Sequence, residues 1–210
     1  MYRPFIDDLA DVAPLDGQRH VVLRPAGAVR DAYSEVQGQV KERLRDLDVS
    51  YPAHPHVTLA NLAGAPVEAV RALVAGWAPT VPPLVLDIER VSAFPTPFRI
   101  VIIRVRKTPK LVHALSSLRA RAQQRGIADL ATIAPADWVF HLSLTYCSKL
   151  SATAWAEVEQ WIETVPVQPA RSVVSEAEVV AFDTGRESSG GVFTLAKPPV
   201  AEGRCRGIQR

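Results

Sequence analysis

The chain has 210 residues, of which 48% are hydrophobic and 22% are charged, with a formal net charge of +2. This balance is typical of a globular protein that buries a core in one domain or two small lobes, and it excludes global disorder. The small net charge argues against a protein that coats nucleic acid, and two cysteines are too few for a disulfide framework or a zinc cluster. The acidic start lacks the apolar segment of a signal peptide, and no apolar run approaches the roughly 20 residues that span a bilayer. We therefore expect a soluble, cytoplasmic protein.

Strands and helices alternate along the chain. We expect an N-terminal arm over 1–18, followed by a strand at 19–24, a helix at 28–47, a strand at 56–61 and a helix at 66–77. Next come two strands at 84–93 and 99–106 joined by a proline-rich turn, a helix at 109–125, a strand at 140–147 and a helix at 152–164. Strands at 173–182 and 192–196, placed around the glycine pair at 190–191, close a single domain over 19–196, before a basic flexible tail over 197–210.

The alternation contains an internal repeat. His-Val-Thr-Leu at 56–59 aligns with His-Leu-Ser-Leu at 141–144 at an offset of 85 residues. The same offset aligns apolar positions of the helix that follows each motif, Ala69, Val70, Leu73 and Trp77 with Ala154, Trp155, Val158 and Ile162. The repeat predicts a duplicated, bilobal α+β fold with two pseudo-symmetric lobes of antiparallel sheet, helices on the outside and a central groove.

The repeated motif places an imidazole and a hydroxyl on one face of each strand. Because side chains alternate along a strand, His56 shares a face with Thr58, and His141 shares a face with Ser143. We expect the opposite, apolar face of each strand to pack under the helices of its own lobe. If a pseudo-two-fold axis relates the lobes, both polar faces line one groove.

Such a groove suits in-line displacement at phosphorus. That reaction needs a base on the attacking oxygen, an acid on the leaving oxygen and donors to the non-bridging oxygens. Imidazole, with an unperturbed pKa of ~6.5, suits both proton roles, and hydroxyls suit the third. The pattern does not assign which histidine is the acid and which is the base.

Both motifs resemble the tandem motif of the two-histidine (2H) phosphoesterase superfamily, which includes RNA 2′,3′-cyclic phosphodiesterases and the bacterial 2′-5′ RNA ligase family. Residues 91–95 leading into 99–102 resemble the central hairpin of that family. Residues 182–184 through 190–193 resemble its closing hairpin, with Phe193 where tyrosine is often seen.

The resemblance covers residues 19–196 and implies a bilobal fold. It also implies no metal or other cofactor, and catalytic roles for His56, Thr58, His141 and Ser143. The implied activity is the opening of 2′,3′-cyclic phosphates of RNA or nucleotides, with 2′-5′ RNA ligase activity as an extension. Ala53, His54 and Pro55, before the first motif, depart from the ligase-like branch, and the second motif is closer to the cyclic phosphodiesterase branch.

Two other classes of function stay open. His54 and His56, with His141 as a third ligand, would suit a metal-dependent hydrolase, although no carboxylate with obvious ligand spacing joins them. A non-catalytic module would use the same groove to bind RNA or a nucleotide. The expected partner in each reading of the groove is RNA or a nucleotide with a cyclic phosphate or phosphodiester. We expect no membrane association and a monomeric chain.

Several residues near the motifs have more than one interpretation. Residues 99–125 carry eight basic residues and no acidic one. The simplest interpretation of this segment is a solvated surface. The alternative is that Arg99 or Arg104 reaches the groove and attracts phosphate. Alternation places Tyr146 with Leu142 and Leu144 in the core. Four aromatic residues are candidates for stacking against a base: Phe94, Phe98, Trp138 and Phe140. Cys147 is expected to be a packing residue, and the pattern assigns no role to His20.

Overall fold

The computed structural model describes residues 15–52, 54–184 and 186–196. The strands of this part are β1 Gln18–Leu23, β2 Val57–Ala63, β3 Leu84–Phe94, β4 Ile100–Val105, β5 Ala128–Asp129, β6 His141–Tyr146, β7 Arg171–Val174, β8 Glu176–Asp183 and β9 Arg186–Thr194. The helices are α1 Gly27–Arg43, α2 Val67–Trp77, α3 Pro109–Gln124 and α4 Ala152–Ile162. None of these helices is long and apolar enough to cross a membrane.

The strands form two antiparallel sheets. One has five strands in the order β5-β2-β1-β8-β9, and the other has four in the order β6-β4-β3-β7. The first motif runs into β2 of the five-stranded sheet, with His56 directly before the strand, and the second motif begins β6 of the four-stranded sheet. The predicted α+β fold with two lobes of antiparallel sheet is therefore confirmed.

The first helix of each half packs on the sheet of the other half. α1 follows β1 but packs on β6, β7 and β3, and α3 follows β4 but packs mainly on β2 and β5, with a smaller contact to β3 of its own sheet. α2 and α4 stay on the sheet of their own half. The expectation that each motif strand is covered only by the helices of its own lobe was therefore wrong. Because the helices are exchanged, apolar residues from both sheets join one continuous core, in which Leu59 and Leu144 are both fully buried.

The repeat extends to the hydrogen-bond register of the motif strands. In the β1–β2 pair, Val21 lies opposite Ala60 and Val22 opposite Thr58, so that Leu59 is an extra residue on β2. In the β4–β6 pair the register skips Leu144 in the same way. Such an extra residue is a β-bulge, which bends a strand and changes which side chains share a face. The two bulge residues are 85 positions apart, like the motifs themselves.

The closing hairpin differs from the prediction in two places. The strand expected at 173–182 is two strands, because the chain leaves the four-stranded sheet after Val174 and enters the five-stranded sheet at Glu176. The strand expected at 192–196 begins at Arg186, so the glycine pair lies inside β9 and not in a turn. The predicted arm and tail fall mainly outside the described residues (1–14 and 197–210), and the domain bounds at 19 and 196 stay predictions.

Gly190 allows α2 and β8 to approach β9 closely. A Cβ on Gly190 would lie 2.7 Å from Val179 Cγ1 and 2.9 Å from Val67 Cγ2. Glycine inside a strand marks this kind of close approach, whereas the sequence pattern alone also fits a turn.

We predict that Gly190→Ala lowers the free energy of unfolding by about 1–3 kcal/mol, because the added methyl group overpacks the contact with two valines. The control is Gly38→Ala in α1, where a Cβ meets nothing within 4 Å; removing a helix glycine should stabilise the protein by roughly 0.5–1 kcal/mol. Urea unfolding of both variants tests the prediction. Equal stability of the two variants would show that the space beside residue 190 is not restricted.

Candidate active site

The two motif strands line one cavity between the sheets. Its volume is about 420 Å³, and its wall includes all four predicted site residues, His56, Thr58, His141 and Ser143. The rest of the wall is mixed, with polar, aromatic and aliphatic side chains from both halves: Leu15, His20, Asn61, Phe98, Ile100, Trp138, Tyr146 and Ser148. The structure therefore brings the two imidazoles and two hydroxyls to a single space, as the repeat predicts.

Backbone carbonyls hold both imidazoles in the same way. His56 Nδ1 lies 3.2 Å from the carbonyl oxygen of His54, and His141 Nδ1 lies 2.9 Å from that of Val139. Because a carbonyl oxygen only accepts hydrogen bonds, each Nδ1 must carry the proton and donate it. In the neutral ring, Nε2 is then the nitrogen that accepts a proton. The two carbonyls belong to residues 85 positions apart, so the tautomer is set identically in both lobes.

Burial keeps both imidazoles uncharged near neutral pH. Loss of hydration lowers the pKa of His56 well below its ordinary value of 6.5, and the charge of Arg24 lowers it further. Burial also lowers the pKa of His141; the hydrogen bond to Val139 opposes this shift, and the charge of Arg104 adds to it. An anion between the rings would raise both pKa values, because it stabilises the protonated form.

The second motif is also held by α1, which belongs to the first half of the chain. The Tyr33 hydroxyl donates to the carbonyl of Ser143 at 2.9 Å, and Gln37 Nε2 donates to the carbonyl of Leu144 at 3.3 Å. Both carbonyls lie at the β6 bulge, where the regular ladder is interrupted. The exchanged helix therefore supports the backbone that presents the Ser143 hydroxyl to the cavity.

The bulges place two unexpected side chains in the cavity. Strict alternation assigned Tyr146 to the core with Leu142 and Leu144, and this was wrong, because the extra residue at 144 shifts the alternation by one position. Tyr146 lines the cavity, and so does Asn61, its counterpart 85 residues earlier. Asn61 was missed, although the offset that relates the two motifs would have paired it with Tyr146.

His20 is a further cavity residue without an expected role. It lies on β1 next to the first motif, is only 5% exposed, and packs edge-on against Phe182 with ring centroids 5.0 Å apart. Its Nε2 lies 3.0 Å from Gln18 Oε1. Burial lowers the pKa of His20 to about 4. A single histidine at the start of a strand carries no repeat or spacing signal that would have indicated this position.

The other aromatic candidates divide into wall and core. Phe98 and Trp138 line the cavity, and Phe94 packs edge-on against the His141 ring with centroids 4.7 Å apart. Phe140 is buried in the core, as is Cys147, whose thiol pKa burial raises to about 11. Cys147 is therefore a packing residue, because a thiol with so high a pKa is a poor nucleophile.

The structure also shows where Arg99, a candidate for attracting phosphate, and His54, a candidate metal ligand, lie. The Arg99 guanidinium donates to the carbonyl of Leu150, which ties it to backbone beside the hairpin. His54 contributes its carbonyl to His56. Within residues 15–52, 54–184 and 186–196, no group of three His, Cys, Asp or Glu side chains is placed to hold a metal ion.

The two sheets and the paired imidazoles are the arrangement expected of the two-histidine phosphoesterase superfamily. The model of the 2′-5′ RNA ligase superfamily matches residues 20–186, and the chain belongs to this superfamily. No curated protein sequence shows a significant match.

Solved structures share the fold at low sequence identity. TT0787 of Thermus thermophilus is 18% identical with a TM-score of 0.63, and the match covers 86% of this chain and 98% of that one. Escherichia coli LigT complexed with 3′-AMP is 18% identical with a TM-score of 0.55, covering 85% and 98%. Kluyveromyces marxianus Usb1 is 9% identical with a TM-score of 0.53, covering 86% and 98%.

We predict that the buried His20 makes the protein less stable in acid. Its pKa is about 4 in the folded state and ~6.5 when unfolded, so the unfolded chain takes up the proton first as the pH falls. The contribution of His20 to the free energy of unfolding is fully present above pH ~6.5. It decreases by roughly 3 kcal/mol as the pH falls from 6.5 to 4. Denaturant unfolding at several pH values measures this slope. His20→Gln should make the slope shallower, whereas His113→Gln, on the exposed face of α3, controls for the loss of one imidazole. An unchanged slope in His20→Gln would contradict the prediction.

Proposed function

We propose that this protein is a phosphodiesterase that opens 2′,3′-cyclic phosphates of RNA or nucleotides, using His56 and His141 as acid and base without a metal ion. One observation carries the proposal. Both imidazoles line the same cavity, and a backbone carbonyl holds each Nδ1, so both rings present Nε2 as the nitrogen that exchanges a proton. Two such groups around one phosphorus atom meet the requirement of in-line displacement for a base on one side and an acid on the other.

The reaction follows from these positions. One imidazole removes a proton from water as the water oxygen forms a bond to phosphorus. The other imidazole, in its protonated form, donates to the ribose oxygen as that oxygen leaves, which gives a 2′- or 3′-phosphate. Thr58 and Ser143 donate to the non-bridging oxygens, where negative charge develops. If a ribose 5′-hydroxyl attacks phosphorus in place of water, the same groups would open the ring with the 3′-oxygen as the leaving group, and two RNA ends would be joined through a 2′-5′ bond.

The cavity also has a surface suited to a nucleobase. Phe98, Trp138 and Tyr146 provide aromatic rings in the wall that contains the two imidazoles. Bases stack on aromatic side chains with little sequence preference. Structures of the similar E. coli LigT have been solved with 3′-AMP and with ATP, which supports a nucleotide-sized substrate for this chain. We infer that the ribose phosphate lies at the histidines and the base lies against these rings.

Replacing either histidine by alanine should lower kcat for a 2′,3′-cyclic nucleotide on the order of 10³-fold, because each change removes one of the two proton-transfer groups. His113→Ala on the exposed face of α3 is the matched control and should keep the wild-type rate. EDTA should leave the wild-type rate unchanged. A loss of only a few-fold from His56→Ala or His141→Ala would defeat the mechanism. A wild-type protein that binds cyclic nucleotides without turning them over would indicate a binding module.

The pH dependence of the reaction should follow from the lowered pKa values. Catalysis requires one proton on the histidine pair, and burial lowers the pKa of both rings in the free protein. The bell-shaped profile of kcat/KM, which reports the pair in the free enzyme, should therefore be centred below pH ~6.5. The kcat profile should lie at higher pH, because bound phosphate raises both pKa values. Steady-state kinetics between pH 4 and 9 provide both profiles. A kcat/KM optimum well above pH 7 would contradict the account.

A further inference from the structure

Arg104 lies beside His141 on the neighbouring strand. The two residues are directly opposite each other in the β4–β6 pair. Ile100, which shares the Arg104 face of β4 by alternation, lines the cavity. Side chains opposite each other in antiparallel strands have Cβ atoms about 5 Å apart. An arginine side chain at this position is long enough to reach an anion bound at Nε2 of His141.

The residue of the first half that corresponds to Arg104 has a different charge environment. Arg24 follows β1 as the next residue after the Leu23–Val57 pair, which places it beside His56 as Arg104 is beside His141. Arg24 Nε lies 2.8 Å from Glu178 Oε2, and both side chains are at most 10% exposed. A buried carboxylate thus compensates the charge of Arg24.

Arg104 lacks such compensation. Among the residues that the structure describes, no carboxylate forms an ion pair with Arg104. Its Nε is buried and has no hydrogen-bond partner within the same ranges. The positive charge of Arg104 acts on His141. Burial is the main cause that lowers the pKa of His141, and the charge of Arg104 lowers it further. A partly buried cation without a partner is costly, and binding of an anion offsets that cost.

The proposed reaction supplies an anion that needs such a cation. No lysine or arginine, Arg104 included, is part of the described wall of the cavity, so the Arg104 guanidinium must turn from its place beside His141 to reach a bound phosphate. The hydroxyl donors of the wall, Thr58 and Ser143, are neutral. Displacement at phosphorus concentrates negative charge on the non-bridging oxygens. A guanidinium is well suited to bind those oxygens, because its planar N–H groups match the geometry of phosphate.

We propose that Arg104 is a further catalytic residue, whose guanidinium donates to a non-bridging oxygen of the phosphate held between His56 and His141. This inference rests on the proposed phosphodiesterase function. The arginines of the two halves would then have different roles. The first half provides an arginine neutralised by Glu178, and the second half provides the arginine that binds the substrate.

The test compares Arg104→Gln and Arg104→Lys with Arg71→Gln, which removes the same charge from the exposed face of α2. On a 2′,3′-cyclic nucleotide, Arg104→Gln should lower kcat by roughly 10²- to 10³-fold, and Arg104→Lys should lose less, because a cation is retained. Millimolar guanidinium chloride should restore part of the kcat of Arg104→Gln and leave Arg71→Gln unchanged. A structural role for Arg104 would not produce this rescue. A kcat of Arg104→Gln within three-fold of wild type, or a loss without rescue by guanidinium, would overturn the proposal.

Binding measurements separate this proposal from the proposed function. If Arg104→Gln keeps full turnover while His56→Ala and His141→Ala lose it, the role of Arg104 is wrong and the phosphodiesterase function stands. If the wild-type protein turns over no cyclic phosphate, the function is wrong, and calorimetric titration with 3′-AMP then decides the role of Arg104. In that case Arg104→Gln should bind 3′-AMP at least ten-fold more weakly than Arg71→Gln. Equal affinities would overturn a phosphate contact by Arg104.

Discussion

Two backbone carbonyls, those of His54 and Val139, determine what chemistry the cavity can support. Each accepts a hydrogen bond from Nδ1 of the imidazole two residues later, which leaves Nε2 as the proton acceptor of both neutral rings. If the carbonyls were absent, burial would lower the pKa of each ring but would not select which nitrogen carries the proton. The proposed acid and base roles of His56 and His141 depend on this repeated contact.

The convergence of the two rings depends on how the lobes are joined. α1 and α3 each pack on the sheet of the opposite half, and Tyr33 of α1 bonds to the second motif strand. The loop before the first motif also pairs with that strand, through Ser50 N to Tyr146 O at 3.1 Å and Tyr146 N to Ser50 O at 2.8 Å. The distance between the motifs is thus fixed by hydrogen bonds close to the cavity. The exchange also makes the core continuous, so neither half buries its apolar surface alone.

Much of this architecture could be predicted from the sequence, because hydrophobic periodicity places the elements within a few residues and the offset of 85 relates the two motifs. The side chains beyond each motif could not be assigned, since a β-bulge has no signature in apolar alternation, and Tyr146 was placed on the wrong face. The glycine pair at 190–191 fits a turn and a close strand contact equally well, and only the positions of Val67 and Val179 decide between them. The position of His20 in the cavity wall could not be predicted from the sequence either, because it depends on the pairing of β1 with the strand of the first motif. Arg104 was one of two basic candidates, and the register with His141 distinguishes it from Arg99.

The most direct test of the central claim is nitrogen-15 NMR of the histidine rings during titration with inorganic phosphate. Signals of the two rings can be assigned by their loss in His56→Asn and His141→Asn. We predict that both rings of the free protein are Nδ1–H tautomers, and that both Nε2 signals shift along one common saturation curve as phosphate binds. An Nε2–H tautomer on either ring, or a phosphate response confined to one of the two, would contradict a shared anion site.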